Sequence, residues 1–237
     1  MTYRIFSSPL GRLLIARSEQ GVSLVEFLEG RGVRDSRLSR AGVEAVEGGA
    51  EMEPLCQELL DYLEGRRTRL EWPIDLRLAR SEFHRAVLQV TARIPYGAIT
   101  SYTRVARDIG APEAMRAVAQ ALRWNPVPIV VPCHRVIGAS GSLTGYAGNK
   151  ILRKQRLLSV EGVPTAKIGR ELCVERASMY VRHPGKKYYC LPTCQWVSPA
   201  TLGRLVFFGS RGFAEASGLA PCTSCRPDLH PISPSGC

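Results

Sequence analysis

Three short runs near the amino terminus, YRIFSS, GRLLIARS and VSLVEFL, alternate apolar and polar residues closely enough to predict β-strands. The turn signals SPLG and SEQG separate them, so an antiparallel sheet is expected. Gly30 to Gly49 is rich in Gly, Arg and Glu without a clear period and reads as a long, mobile connection. PLCQELLDYLEG then puts Leu55, Leu59, Leu60 and Leu63 on one face of a helix closed by Gly65, on which the sheet can pack. Past an extended RLEWPIDL, SEFHRAVLQVTARI predicts a capped helix presenting Phe83, Val87, Val90 and Ile94. SYTRVARDIG and APEAMRAVAQALRW predict two further short helices, with Pro112 suited to the first turn of the second. Such a pair across a glycine-containing turn is a helix-turn-helix candidate, although most αα-hairpins are packing devices. NPVPIVVPCHRVIG is expected to be extended because its prolines forbid a helix, and GSLTGYAGNK to be a glycine-rich loop. KILRKQRLLSVEG predicts an amphipathic basic helix, and the stretch from Val163 to Met179 a linker to a cysteine-rich segment.

Composition adds three constraints. With 237 residues, 45% of them hydrophobic, the chain can bury a substantial core. MTYRIFSSPLGRL lacks a continuous apolar run and nothing later is long enough to span a bilayer, so a soluble, cytoplasmic chain with no membrane partner is expected, without need of oligomerisation. The net charge of +11 is spread over the chain, which suits a polyanionic partner and equally suits ordinary solubility. The eight cysteines are unevenly placed: Cys190, Cys194, Cys222 and Cys225 form two tight pairs, whereas Cys56, Cys173 and Cys237 suggest no role.

The eighth, Cys133, lies in VVPCHRVIG. A lone cysteine is most often a small buried hydrophobe. Here His134, Arg135 and the basic helix around Lys154 supply positive, donor-rich surroundings of the kind that lower a thiol pKa. His134 need not touch the sulfur directly, because neighbours in an extended segment point to opposite faces. A water between them, or a bend at Pro132, would join the two.

The stretch IPYGAITSYTRVARDIGAPEAMRAVAQALRWNPVPIVVPCHRVIG, followed by GSLTGYAG, resembles the active-site region of the O6-alkylguanine-DNA alkyltransferases, whose signature is PCHR. SPLGRLLIA and GVSLVEFLEG resemble that family's N-terminal lobe. The resemblance implies an α/β N-terminal lobe (1–78) and a mainly α, helix-turn-helix-containing catalytic lobe (79–163). It implies a single-use enzyme, in which Cys133 takes the alkyl group from O6-alkylguanine, and from O4-alkylthymine, in double-stranded DNA. The thioether formed has no easy hydrolytic exit. His134 would act through a water as the base, Glu161 would orient its imidazole, and Asn125 would brace the turn. Tyr102 would turn the target phosphate outward and protonate the leaving guanine, while Arg116 filled the gap left by the flipped base. Ser101, Arg123, Arg135 and Tyr146 would complete the DNA-facing set, with the Gly145 to Gly148 loop in the pocket wall. Asn149, where a second glycine is usual, is expected to narrow that loop. Read alone, Arg116 is an ordinary solvated helix arginine, Tyr102 a packing tyrosine and Glu161 a helix end.

Cys190-x3-Cys194 and Cys222-x2-Cys225, 27 residues apart, have the spacing of a four-thiolate Zn²⁺ site. A small segment of this kind usually needs its metal to fold. YVRHPGKKYYCLPTC and VFFGSRGFAEASGLAPCTSCRPD resemble the metal-binding domain of adaptive-response (Ada-type) proteins. That implies a small α+β zinc domain (180–229) after a linker (164–179), then a flexible tail (230–237), with no organic cofactor. It also implies that Cys190 is a candidate second methyl acceptor, taking methyl from phosphotriesters; a purely structural zinc is the alternative. Two other kinds of protein compete with the repair enzyme. A lesion-binding module would lack the acceptor Cys133, and a zinc-containing alkylation sensor would carry a further DNA-reading domain, of which the sequence has no sign. A monomer is expected.

Overall fold

In the computed structural model the described residues are 1–146 and 150–232, with the main chain alone at 199–201. The expectation for Asn149, the second half of the Gly145 to Gly148 loop and most of the tail therefore lie outside the described residues.

Strands β1 (Thr2–Ser8), β2 (Gly11–Ser18) and β3 (Gly21–Phe27) form the expected antiparallel meander. After a short helix α1 (Arg37–Arg40), β4 (Val46–Glu47) adds to β1 in parallel, giving the order β3-β2-β1-β4. Both faces of β2 are covered. Leu13 and Ile15 enter the main core, whereas Leu14 and Ala16 join a second cluster with Leu24, Leu28 and Leu38. Leu38 belongs to the segment expected to be a mobile connection, which instead folds over the sheet. Ser36 caps α1 by accepting from the Ser39 amide, and Arg37 donates to the Trp124 and Asn125 carbonyls, each at 2.8 Å. Leu38, Val33 and Ala45 pack inward and Arg31 and Arg37 bond to the body of the fold, at spacings that make no periodic pattern.

Helix α2 (Glu53–Leu63) buries Cys56, Leu59, Tyr62 and Leu63, so its inner face is turned from the expected one to include a tyrosine. Helix α3 (Glu82–Ala92) starts at the Ser81 cap and buries His84, Val87, Leu88 and Thr91, leaving Phe83 exposed. Polar residues can face inward there because each finds a main-chain partner. Thr91 donates to the Val87 carbonyl at 2.7 Å, and His84 Nδ1 accepts from the Arg80 amide at 3.1 Å.

Strand β5 (Ala98–Ser101) runs into α4 (Tyr102–Asp108), whose N-cap is Ser101. Helix α5 (Met115–Arg123) completes the two-helix unit; Pro112 lies in the turn before it rather than in its first turn. It buries Val118, Ala121 and Leu122 and exposes Arg116, Gln120 and Arg123. The following proline-rich stretch is not extended. The Cys133 amide donates to the Val131 carbonyl across Pro132, and Cys133–Arg135 form one 3-10 turn before β6 (Val136–Ile137). Proline excludes the helix but sits well in turns, which the prediction of an extended segment overlooked. Helix α6 (Ile151–Val160) closes this lobe.

The segment expected to be a linker is a hairpin, β7 (Thr165–Ile168) and β8 (Glu171–Val174), turned through Gly169 at φ 62°. Positive φ at that position is what a two-residue hairpin turn requires. The cysteine-rich segment adds β9 (Tyr180–Arg182), β10 (Tyr188–Tyr189), β11 (Val206–Phe208), α7 (Arg211–Ala216) and β12 (Ala220–Pro221). β11 pairs antiparallel with both β5 and β9, so one sheet, β6-β5-β11-β9, spans the catalytic lobe and the cysteine-rich segment. Among the described residues no helix is long and apolar enough to cross a membrane.

Candidate active site and metal centre

The 3-10 turn puts Cys133, His134 and Arg135 into three different environments, all buried. Cys133, 7% exposed, reaches a cavity of about 840 Å³ lined also by Tyr102, Arg116, Arg123, Ala139, Ser140 and Tyr146. His134 and Glu161 are both fully buried, with Nε2 to Oε1 at 2.6 Å. Arg135 holds the other carboxylate oxygen through Nε at 2.8 Å, and its Nη2 donates to Oε1 at 3.0 Å. The Tyr62 hydroxyl donates to Oε1 and the Gly97 amide to Oε2, so Glu161 is saturated with donors.

Burial alone would raise the Glu161 carboxyl, but His134 and Arg135 pull it down to about 2. An ionised Glu161 only accepts, so Nε2 of His134 must carry the proton and Nδ1 must carry the lone pair. Burial also pushes the His134 pKa down against the pull of Glu161, favouring the neutral ring. Nδ1 has no partner among the described residues, leaving a buried base with its acceptor site free. The Cys133 thiol is pushed up by burial, contrary to the expectation from its basic surroundings. The Asn125 side chain, Lys154, the Cys133 backbone and Arg37 pull the other way. A protonated resting thiol needs a base, and His134 Nδ1 has that chemistry.

Asn125 sits at the centre of the turn: its Nδ2 donates to the Val131 carbonyl and its Oδ1 accepts from the Val127 amide, both at 2.9 Å. Within this brace Ile129 adopts φ 78°, a left-handed conformation that costs a β-branched residue about 1–3 kcal/mol. The Tyr102 hydroxyl donates to the Thr144 carbonyl at 3.1 Å; burial, then Cys133, push its pKa up to about 12, so it stays a proton donor. Tyr146 is buried, its hydroxyl has no partner among the described residues, and it lines the same cavity. Arg116 and Arg123 are exposed at the cavity.

Two residues expected to touch DNA are committed elsewhere. Arg135 spends its guanidinium on Glu161, Tyr62 and, at Nη1, the Ile94 carbonyl. Ser101 is buried, caps α4 and donates to the Gly203 carbonyl. Lys154, expected among the basic groups around Cys133, is inside the fold, and two further residues, Tyr62 and Arg37, escaped prediction. Lys154 is fully buried, donates to the Val136 and Thr144 carbonyls at 2.6 and 3.0 Å, and is pulled by burial to about 7. Tyr62 reaches the cluster from the N-terminal lobe, and Arg37 holds the backbone at Asn125. For Tyr62 the available signal was a tyrosine on the helical face shared with Leu59 and Leu63; Arg37 had none.

The four clustered cysteines converge as their spacing predicts. Their sulfurs all lie within 4.8 Å of one another, and four thiols gathered without a bridge fit tetrahedral zinc. Cys190 is placed by a mutual main-chain pair with Val181 of β9, and Cys222 by its amide to the Tyr189 carbonyl. Cys190 is 0% exposed, so its sulfur faces the other thiols and not solvent; Cys225 is the most accessible of the four.

A buried thiol beside a buried histidine–carboxylate pair opens into a cavity lined by residues of the two-helix unit. Residues 82–163 match the DNA-binding domain of 6-O-methylguanine DNA methyltransferase, residues 1–76 its ribonuclease-like domain, and residues 177–228 the metal binding domain of Ada. A methylated-DNA–protein-cysteine methyltransferase of Methanosarcina acetivorans is 38% identical over 164 residues, 68% of this chain and 99% of that protein. One from Mycolicibacterium paratuberculosis is 42% identical over 159 residues, 67% of this chain and 91% of that protein. The crystal structure of Mycobacterium tuberculosis O6-methylguanine methyltransferase superposes with a TM-score of 0.58 at 39% identity, covering 68% of this chain and 92% of that one. A second crystal structure, of Mycobacterium tuberculosis OGT in complex with DNA, gives the same TM-score at 38% identity and the same coverage. The chain belongs to the methylated-DNA–protein-cysteine methyltransferase family and carries, after that family's two domains, an Ada-type zinc-binding segment.

Proposed function

We propose that this chain repairs double-stranded DNA by moving the alkyl group of O6-alkylguanine, and of O4-alkylthymine, once and irreversibly to Cys133. The observation that carries the assignment to Cys133 is the free Nδ1 of a buried His134 whose other nitrogen is tied to an ionised Glu161. The thiol proton passes through a water to Nδ1, and the thiolate sulfur attacks the alkyl carbon in line with the C–O bond. That bond breaks, its electron pair stays on guanine, and Tyr102 supplies a proton that is returned from the imidazolium through solvent. Sulfur gains the alkyl group and guanine the proton, so the step balances without a cofactor.

Exposed Arg116 and Arg123 flank the cavity and fit the displaced stack and its phosphates, and the unpartnered Tyr146 hydroxyl fits the edge of a flipped base. Zinc keeps four thiolates gathered where uncompensated they would repel. We read that zinc as structural, because Cys190 has no exposed surface from which to meet a phosphotriester. A monomeric cytoplasmic protein suits this role.

Intact mass after mixing with a duplex containing O6-methylguanine tests the proposal. One methyl gained by the wild type and lost in Cys133→Ser is expected; no gain by the wild type sinks it. The same assay with methylphosphotriester DNA should leave the mass unchanged, whereas a methyl mapped to Cys190 would make it a second acceptor.

A further inference from the structure

The rim of the alkyl-accepting cavity is held by residues that lie outside the alkyltransferase lobes. Ala139 and Ser140 line the cavity, and their carbonyls accept from Nη1 and Nη2 of Arg176, both at 2.7 Å. The next residues are tied to the same side of the molecule. The Val174 amide donates to the Gly141 carbonyl at 2.9 Å, and the Leu143 amide to the Leu172 carbonyl at 2.8 Å. Gly203 abuts Ala139 so closely that a Cβ added there would come within 3.2 Å of the alanine methyl. Arg176 falls between residue 163, where the alkyltransferase match ends, and residue 177, where the zinc-domain match begins.

We propose that Arg176 is a positioning residue for alkyl transfer, fixing the 138–140 rim so that the segment following the two alkyltransferase lobes is a working part of the cavity. This rests on the reading of Cys133 as acceptor. The two carbonyls are on exposed residues, so water can replace the guanidinium and the fold should survive its loss. What is lost is geometry: a rim free to move holds the flipped base less often in line with the sulfur, and transfer depends steeply on that alignment. The fork of Arg176 matches two carbonyls at once; a lysine offers only a point charge.

The test uses the full zinc-loaded chain in single-turnover transfer from duplex O6-methylguanine and O6-benzylguanine, with hydrogen exchange over 138–143. Arg176→Ala should slow saturated methyl transfer about tenfold, leave duplex affinity within twofold, change the methyl-to-benzyl rate ratio and speed exchange at the rim. Arg176→Lys should recover part of the rate, and Arg170→Ala, an exposed change in the same segment, none of these effects. Transfer by Arg176→Ala within twofold of wild type, an unaltered rate ratio, or unchanged rim exchange overturns the proposal. Failure of the Cys133 reading shows separately, as wild-type protein that gains no methyl.

Discussion

Replacing Glu161 by glutamine changes one oxygen to NH2 in a site where every neighbour is a donor. If the amide nitrogen takes the Oε2 position it meets Arg135 Nε and the Gly97 amide, and three donors face one another. If it takes the Oε1 position it faces the Nη2 donor of Arg135, whose Nε keeps its 2.8 Å bond to the remaining oxygen, and the NH2 can donate to His134 only when Nε2 carries no hydrogen. The ring proton must then sit on Nδ1, converting the free base into a donor. Losing general-base help costs about 10²- to 10⁴-fold in rate. Arg135, 7% exposed, is also left without its counter-charge, which costs about 3–5 kcal/mol when a buried pair is broken. Single-turnover transfer at saturating O6-methylguanine duplex, below the melting temperature of Glu161→Gln, separates rate from stability. The deficit should shrink as pH rises, because hydroxide can then remove the thiol proton that His134 no longer takes. A folded Glu161→Gln protein transferring within threefold of wild type at pH 7 would refute the relay.

Asn125→Ala should lose about 1–3 kcal/mol in urea unfolding, since it leaves the Val127 amide unpaired in a buried turn and the Val131 carbonyl with only the Cys133 amide, and should slow transfer further by loosening the Cys133 backbone. Because the Glu161 pKa is about 2 in the fold against an ordinary 4.5, its stabilisation is complete above about pH 4.5 and is lost as pH falls toward 2; urea midpoints over that window should record about 3 kcal/mol. Arg116→Ala should slow transfer from duplex at least tenfold while leaving transfer from single-stranded DNA nearly unchanged, as unstacking is needed only in the duplex; equal losses on both substrates would contradict its role. Stripping zinc with a chelator should unfold the cysteine-rich segment and uncover the β5 edge, seen as faster hydrogen exchange at 98–101; unchanged exchange there would show that the sheet stands without the metal.

The meander, the helix pair and the four-cysteine cluster were all legible in the linear order, because each rests on local spacing. Alternation sets a strand, a cap and a glycine set a helix, and a short-range cysteine pair sets half a metal site. Tertiary structure alone decided which polar side chains would be spent inside. Arg135 and Ser101 look like surface groups in sequence, yet one neutralises Glu161 and the other caps a helix. Lys154, Tyr62 and Arg37 are recruited to the cluster across separations that no window along the chain spans. The thiol itself follows the same division: its basic neighbours predict a lowered pKa, but removal from water raises it, and burial is a property of the fold. So too with the cysteine-rich segment. Its metal chemistry is local and readable, whereas its docking on β5 depends on main-chain hydrogen bonds between strands about a hundred residues apart, which carry no side-chain signature.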